Sequence, residues 1–476
     1  MSSATLSETL AAKYEDLYPL TPFQQGIIFH VLDTPKAGVY LNQQQYTFRG
    51  NLNLEAFKQA LQIVMDRHQI LRTSFVLSAP RGPLQVVHRK LNLPWTMHDW
   101  SDLPRAAAAE RLDAFVRSDF KMGFELLRAP LMRMTLIRVE PDLYEFIWSF
   151  HLLLVDAWTM QVILRELLAL YHGLLNGQPA KLPPPVLYRD FVNWLLQQPE
   201  DQAESYWRKS LAGFTNPTPL GFDRTPLPGE TVDPDFRETI VPLDEASSDQ
   251  LRAFSVQQRL TMNTVIQGAW TLLLSHRSGA RDIIFGTAVS GRSAPIPRIE
   301  SAVGLFVNVL PTRVQVPADG YVLPWLREIQ RQQAEARRFE LCPLARIQSW
   351  SDVPRNKPLF DSGIVFQNFP LMVSLPEADA ATQLKIVGFR LTERNNIPML
   401  LVVEPGPQFH FRIVYMGSRF DDGTIDQILK NFKRILVELT SHSDAPVASI
   451  SHHADDERQS LIDSFNQSLA SLECAE

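Results

Sequence analysis

The spacing of apolar side chains divides the chain into stretches of helical and strand-like period. Asn53 stands ahead of Leu54, Phe57, Leu61, Val64 and Met65, a repeat of three or four positions that gathers these side chains on one helix face. Asn53 is the natural N-cap of that helix, which should end near His68. Residues 131–139 and 144–150 change to a period of two. In the second of these strands Tyr144, Phe146, Trp148 and Phe150 share one face, and Glu145 and Ser149 take the other. The strands should form a hairpin across Glu140, Pro141 and Asp142. A loop over 151–157 follows, then a helix carrying Met160, Ile163, Leu164, Leu167 and Tyr171, with His172-Gly173 as its stop.

A proline-rich segment from Pro179 to Pro185 interrupts the pattern. Helical periods return at 188–196 and 201–211, and a connector rich in Gly, Pro and Thr runs from Gly213 to Pro234. The second half predicts helices over 262–274 and 324–338, and strands at 283–289, 308–316, 362–368, 382–391, 398–403 and 408–416. A last helix uses Ile425, Leu429, Phe432, Ile435, Leu436 and Leu439. Both halves therefore predict an α/β fold of mixed α+β character, with no clear internal repeat.

Composition adds limits to this picture. At 476 residues the chain exceeds one ordinary core and predicts two domains of about 200 residues each. An apolar share of 45% against 21% charged gives each half enough to bury. The formal charge of −6 and the lack of a basic run argue against a nucleic-acid backbone as partner. Cys342 and Cys474 make neither a disulfide framework nor a metal signature, so no metal is expected and a reducing cytoplasm fits. Glu8, Lys13, Glu15 and Asp16 stand where a signal peptide would be apolar. No run of about 18 apolar residues follows, and a soluble protein without a membrane partner is expected.

Several strings then point in one direction. They are Tyr18 to His30, containing Thr21-Pro22-Phe23-Gln24; Arg67 to Phe75; Tyr188 to Trp194; Val303 to Arg313; and Leu359 to Pro370. In order, and over nearly the whole chain, they resemble the condensation domains of nonribosomal peptide synthetases. The resemblance implies two lobes like chloramphenicol acetyltransferase, set as a V-shaped pseudo-dimer around a central tunnel. It further implies peptide bond formation by acyl transfer, with a donor thioester and an acceptor amine delivered on the phosphopantetheine arms of carrier domains. No intrinsic cofactor is implied. The expected order is a carrier-side linker over 1–15, an N-terminal lobe over 16–185, interlobe helices and connector over 186–234, and a C-terminal lobe over 235–450. Residues 451–476 resemble the linker before an adenylation domain, which with the two carriers completes the implied partners.

The family's central motif is two adjacent histidines, three variable residues, aspartate and glycine. In this chain it reads His151, Leu152, then Asp156 and Ala157, followed by a familiar Trp158-Thr159. The family places its second histidine nearest the reacting amine. Leucine neither donates nor accepts a hydrogen bond, so Leu152 performs neither proton transfer nor polar positioning. His151 reads as a core histidine bonded to backbone, with rescue catalysis the less favoured alternative, because a strand period sends neighbouring side chains to opposite faces. Asp156 suits a helix cap, and the resemblance adds a salt bridge, with Arg292 as first partner and Arg72 behind it. Ser290 precedes Gly291 in ordinary turn chemistry and has no visible base to make it a nucleophile. The resemblance makes Gly304 to Pro311 a lobe-closing segment of the family, and the alternation of Leu305, Val307 and Val309 reads as an ordinary buried strand; the two readings are compatible.

Retention of His151 argues against heterocyclization, and Trp158-Thr159-Met160 with the Tyr18–Gln24 opening fits condensation better than epimerization. Two functions stay open. The first is amide formation, weakened at Leu152 and carried by confinement of the reactants. The second is a noncatalytic condensation-like module that docks carriers or recruits a tailoring enzyme.

Overall fold

The computed structural model describes residues 12–33, 40–80, 82–178, 180–223, 236–367 and 384–451. The first elements bounded within the described residues are β1 (Tyr14–Pro19), α1 (Pro22–Asp33) and β2 (Leu41–Arg49). Helix α2 (Leu54–Arg67) has Asn53 as N-cap, its side chain accepting from the Ala56 amide at 3.0 Å, and buries Phe57, Leu61, Val64 and Met65 as the spacing predicts. Then come β3 (Thr73–Val76), β4 (Leu84–His88), β5 (Trp95–Asp99), α3 (Arg105–Lys121), β6 (Met132–Glu140), β7 (Leu143–His151) and α4 (Ala157–Leu175). Further on lie α5 (Tyr188–Leu195), α6 (Asp201–Leu211), β8 (Phe236–Pro242), α7 (Glu245–Gln258), α8 (Met262–Ser278), β9 (Asp282–Val289) and β10 (Asn308–Gln315). The remainder is α9 (Val322–Ala336), α10 (Leu344–Ser349), β11 (Ser362–Phe366), β12 (Lys385–Glu393), β13 (Met399–Glu404), β14 (His410–Met416) and α11 (Asp422–Ser441).

Two compact units emerge. The first spans Met1–Glu200, Ser290–Asn308 and Phe369–Asn396, and the second Asp201–Val289, Val309–Asn368 and Ile397–Glu476. Segments from far along the chain thus belong to the first unit, which a division into contiguous halves does not capture. Its main sheet has the order β12-β2-β7-β6-β5, and a smaller sheet has β1-β4-β3. The β6–β7 hairpin forms across Pro141 and Asp142, with Glu140 opposite Leu143. Its alternation separates two faces that are both buried. Phe146 meets Phe57 of α2 edge to face at 5.2 Å, while Ile147 packs with Leu112, Phe115 and Val116 of α3 on the opposite side. Glu145 and Ser149 lie on this second face, buried but bonded: Gln45 and Thr47 donate to Glu145, and Ser149 donates to Asp119. Neighbouring polar side chains replace the water these groups lose.

The second unit is built on one sheet ordered β10-β9-β11-β13-β14-β8. Strands β9, β11 and β13 run parallel, and β13, β14 and β8 antiparallel. Strands buried on both faces read as continuous apolar runs, which explains Ile283 to Phe285 and Met399 to Val403. Helices α8, α9 and α11 supply Trp270, Leu326, Phe432 and Ile435 to the same core.

Among the boundaries that differ from expectation, two bear on the site. Helix α4 continues through His172 and Gly173 to Leu175, where the Asn176 amide bonds back to the His172 carbonyl. A lone glycine lowers helix propensity by about 1 kcal/mol, too little to stop a helix with nine buried side chains. Leu305 and Val307 precede β10, which starts only at Asn308, so their alternation belongs to an irregular segment. The linkers expected at the two ends of the chain, apart from residues 12–15 and 451, lie outside the described residues, as does Cys474.

Candidate functional site

The motif falls where β7 gives way to α4, and its turn is tied down at nearly every residue. His151 closes the strand at 2% exposure, and its Nδ1 accepts the Leu153 amide at 3.2 Å. Burial pushes the His151 pKa down to about 3, so the ring is neutral. The Leu152 amide donates to the Tyr40 carbonyl at 2.8 Å, and the Leu154 amide to the His151 carbonyl at 3.1 Å. Since the strand ends at His151, Leu152 belongs to the turn; the opposed-face argument for these two neighbours does not apply. Leu152 is half-buried, whereas Leu153, Leu154 and Val155 are fully buried and anchor the turn in the core.

Asp156 is the hub of the turn's far end. Oδ1 accepts the Thr159 amide at 2.8 Å, which caps α4, and meets Arg292 Nη2 at 3.4 Å. Oδ2 accepts from the amides of Phe306 and Val307 at 2.9 and 3.2 Å. The carboxylate is thus a cap, an ion-pair partner and a clamp on the segment before β10. Its two oxygens face four donors. Arg292 also donates to Thr159 Oγ1 at 2.9 Å and to the Ile299 and Ala302 carbonyls at 2.7 and 3.0 Å. Its guanidinium lies 4.1 Å from the Phe306 ring centre and 5.8 Å from that of Trp158. Burial lowers the Arg292 pKa and Asp156 opposes that shift; from so high a starting value the group stays cationic.

The other predicted residues take varied places. Arg72 pairs with Glu15 at 2.9 Å and donates to the carbonyls of Met65, Asp66, His88 and Arg89, so it is not a partner of Asp156. Trp158 bonds the Glu300 carbonyl through its indole N–H at 2.8 Å, and Ala157 is the first residue of α4. Ser290 is exposed and leads into Gly291 at φ +65°. A side chain at Gly291 would drive its Cβ into the Phe306 carbonyl oxygen, so only glycine lets these backbones pass.

Residues 14–462 match the Condensation domain family. The chain belongs to that family. A protein of the linear gramicidin synthase of Brevibacillus parabrevis is 38% identical over 453 residues, which is 95% of this chain but 9% of that one. Bacitracin synthase 3 of Bacillus licheniformis is 30% identical over 96% of this chain and 7% of its own length. The condensation domain thus spans a small fraction of these relatives. Among solved structures, the starter condensation domain of rhizomide synthetase superposes with a TM-score of 0.78 at 17% identity, covering 94% of this chain and all of that one. The X-domain from teicoplanin biosynthesis gives 0.75 at 19% identity, over 91% of this chain and 97% of its own. These likenesses establish the two-lobed mixed α/β fold.

Some residues that build the site were missed in the sequence. Gln24 and Gln85 are both fully buried, and Gln24 Nε2 donates to the Leu153 carbonyl at 3.0 Å. The signal for Gln24 was present, because Thr21-x-x-Gln24 has the form of a capping box. Thr159 was noticed only as part of a familiar string, although its hydroxyl links Arg292 to the Gly304 carbonyl. Among the described residues no group of three or more His, Cys, Asp or Glu side chains could hold a metal ion, and no helix is long and apolar enough to cross a membrane.

Proposed function

We propose that this condensation domain joins a donor acyl, aminoacyl or peptidyl thioester to the amine of an acceptor aminoacyl thioester, each carried on the phosphopantetheine arm of a carrier domain. The amine nitrogen attacks the donor carbonyl carbon, the C–N bond forms and the C–S bond breaks. The proton lost from nitrogen balances the thiolate that leaves as thiol. The carrying observation is an apolar side chain, Leu152, at the head of an otherwise fully bonded motif turn. His151 is buried and neutral, with Nδ1 occupied, and Asp156 is engaged by four donors. Neither has spare capacity as a base. Rate enhancement then comes from holding thioester and amine together, which can contribute several kcal/mol without proton transfer. An adjacent adenylation domain would load the acceptor carrier.

A second reading has one observation in its favour: the same Leu152 that weakens chemistry leaves a scaffold suited to docking. The X-domain from teicoplanin biosynthesis, which shares this fold, has been solved in complex with OxyB. On this reading the domain binds carriers or a tailoring enzyme and forms no bond.

The test loads donor and acceptor carrier domains with aminoacyl groups and follows the acceptor by intact mass, for the parent and for Leu152→His. Peptidyl acceptor from both chains supports catalysis by confinement. Product from the variant alone indicates a disabled reaction centre. Carrier binding with no product from either chain, across a panel of aminoacyl groups, moves the assignment to docking.

A further inference from the structure

The motif turn is held by a side-chain relay whose donor end is specific to glutamine. Thr21 and Gln24 form a reciprocal cap at the start of α1. Thr21 Oγ1 accepts the Gln24 amide at 3.2 Å, and Gln24 Oε1 accepts the Thr21 amide at 2.9 Å. A glutamate at position 24 would serve that cap equally well. The carboxamide does more, because its Nε2 donates both hydrogens, one to the Leu153 carbonyl and one to Gln85 Oε1, each at 3.0 Å. Gln85, on β4, completes the chain by donating to the Pro19 carbonyl at 3.0 Å. Both glutamines are 0% exposed, so no water competes for these groups.

We infer that Gln24 is a positioning residue for the reaction centre, fixing the carbonyl that follows position 152 and hence the direction in which that side chain points. The inference rests on the proposed amide-forming reading for its functional consequence, but not for its structural one. A carboxylate at position 24 would face two acceptor oxygens with no hydrogen to offer. The cap survives and the relay breaks. Gln85→Met gives the milder case, keeping the Gln24–Leu153 bond and removing only its support.

Hydrogen exchange of a peptide covering 151–156, read with the thermal midpoint of the whole chain, separates these roles. In Gln24→Glu we expect the midpoint to fall at pH 8, because a buried carboxylate then faces two acceptors, and exchange in this segment to rise at least 10-fold beyond any rise in other core peptides. Corrected for intrinsic rates, protection should return as pH falls and the introduced carboxyl regains a proton to donate. In Leu152→His, adding Gln24→Glu should lower kcat for peptidyl transfer at least 10-fold with KM for the acceptor carrier nearly unchanged. Unaltered exchange over 151–156 in a folded Gln24→Glu chain overturns the inference. Should that chain not fold, the Gln85→Met chain decides: a rise in exchange smaller than 10-fold but above the parent sustains the relay, and none overturns it. Exchange that follows the pattern in chains that form no peptide would count against the amide-forming reading and leave the positioning role standing.

Discussion

His151 and Asp156 hold the two ends of the motif turn. At His151 the folded pKa is depressed to about 3 by burial, while the unfolded ring titrates near its ordinary value of 6.5. The unfolded state therefore binds more protons between these values. The contribution of neutral His151 is intact above about pH 6.5 and is lost progressively as pH falls toward 3. Denaturant midpoints should decline from pH 6.5 to 5, before most carboxylates titrate, and His151→Gln should flatten that slope. An unchanged slope would place the proton uptake elsewhere. At Asp156, alanine would remove a helix cap and strand a buried guanidinium, with a cost of about 3–5 kcal/mol to unfolding free energy. Asp156→Asn keeps an acceptor for the Thr159 amide but not the charge that faces Arg292, so it should recover only the cap's share of the loss; a full recovery of stability in Asn would contradict the ion-pair account. Asp156 was legible as a cap because its place before an apolar-periodic helix is local information. The amides of Phe306 and Val307 were not legible, since they come from about 150 positions away and carry no side-chain signature.

Elements show the same division between local and distant causes. Helix α2 could be read with its cap because its stripe and Asn53 lie within 14 residues of one another. Strands β1, β3 and β4 escaped notice: they are four to six residues long and form a small separate sheet in which β1 joins β4 across about 70 positions. Alternation put Glu145 and Ser149 on one hairpin face, but it reports polarity, not burial. Here α3 covers that face and partners satisfy the polar groups. Glu145 has its pKa raised by burial, opposed by bonds from Gln45 and Thr47. Replacing Gln45 and Thr47 together with Leu and Val should raise that pKa further and destabilise the chain more at pH 8 than at pH 5. Equal destabilisation at the two pH values would contradict an ionised Glu145.

At the scale of the whole molecule, the first unit is completed by segments that follow much of the second in sequence. β12 pairs with β2 along eight registered positions, and Ser290–Asn308 supplies Arg292 and the Phe306 and Val307 amides to Asp156. A fragment ending at Glu200 lacks all of these. It should give a broad, non-cooperative melt, and a cooperative one would show the unit self-sufficient. Contiguous lobes were the natural reading of the proline-rich breaks, because composition marks where a chain is irregular and not where it returns. The central claim, that an intact scaffold lacks a proton-accepting group at position 152, is tested most directly by single-turnover peptidyl transfer between loaded carriers, comparing Leu152→His with the parent. A gain on the order of 100-fold, the usual scale of general-base help, is predicted. Equal rates in the two chains would contradict it.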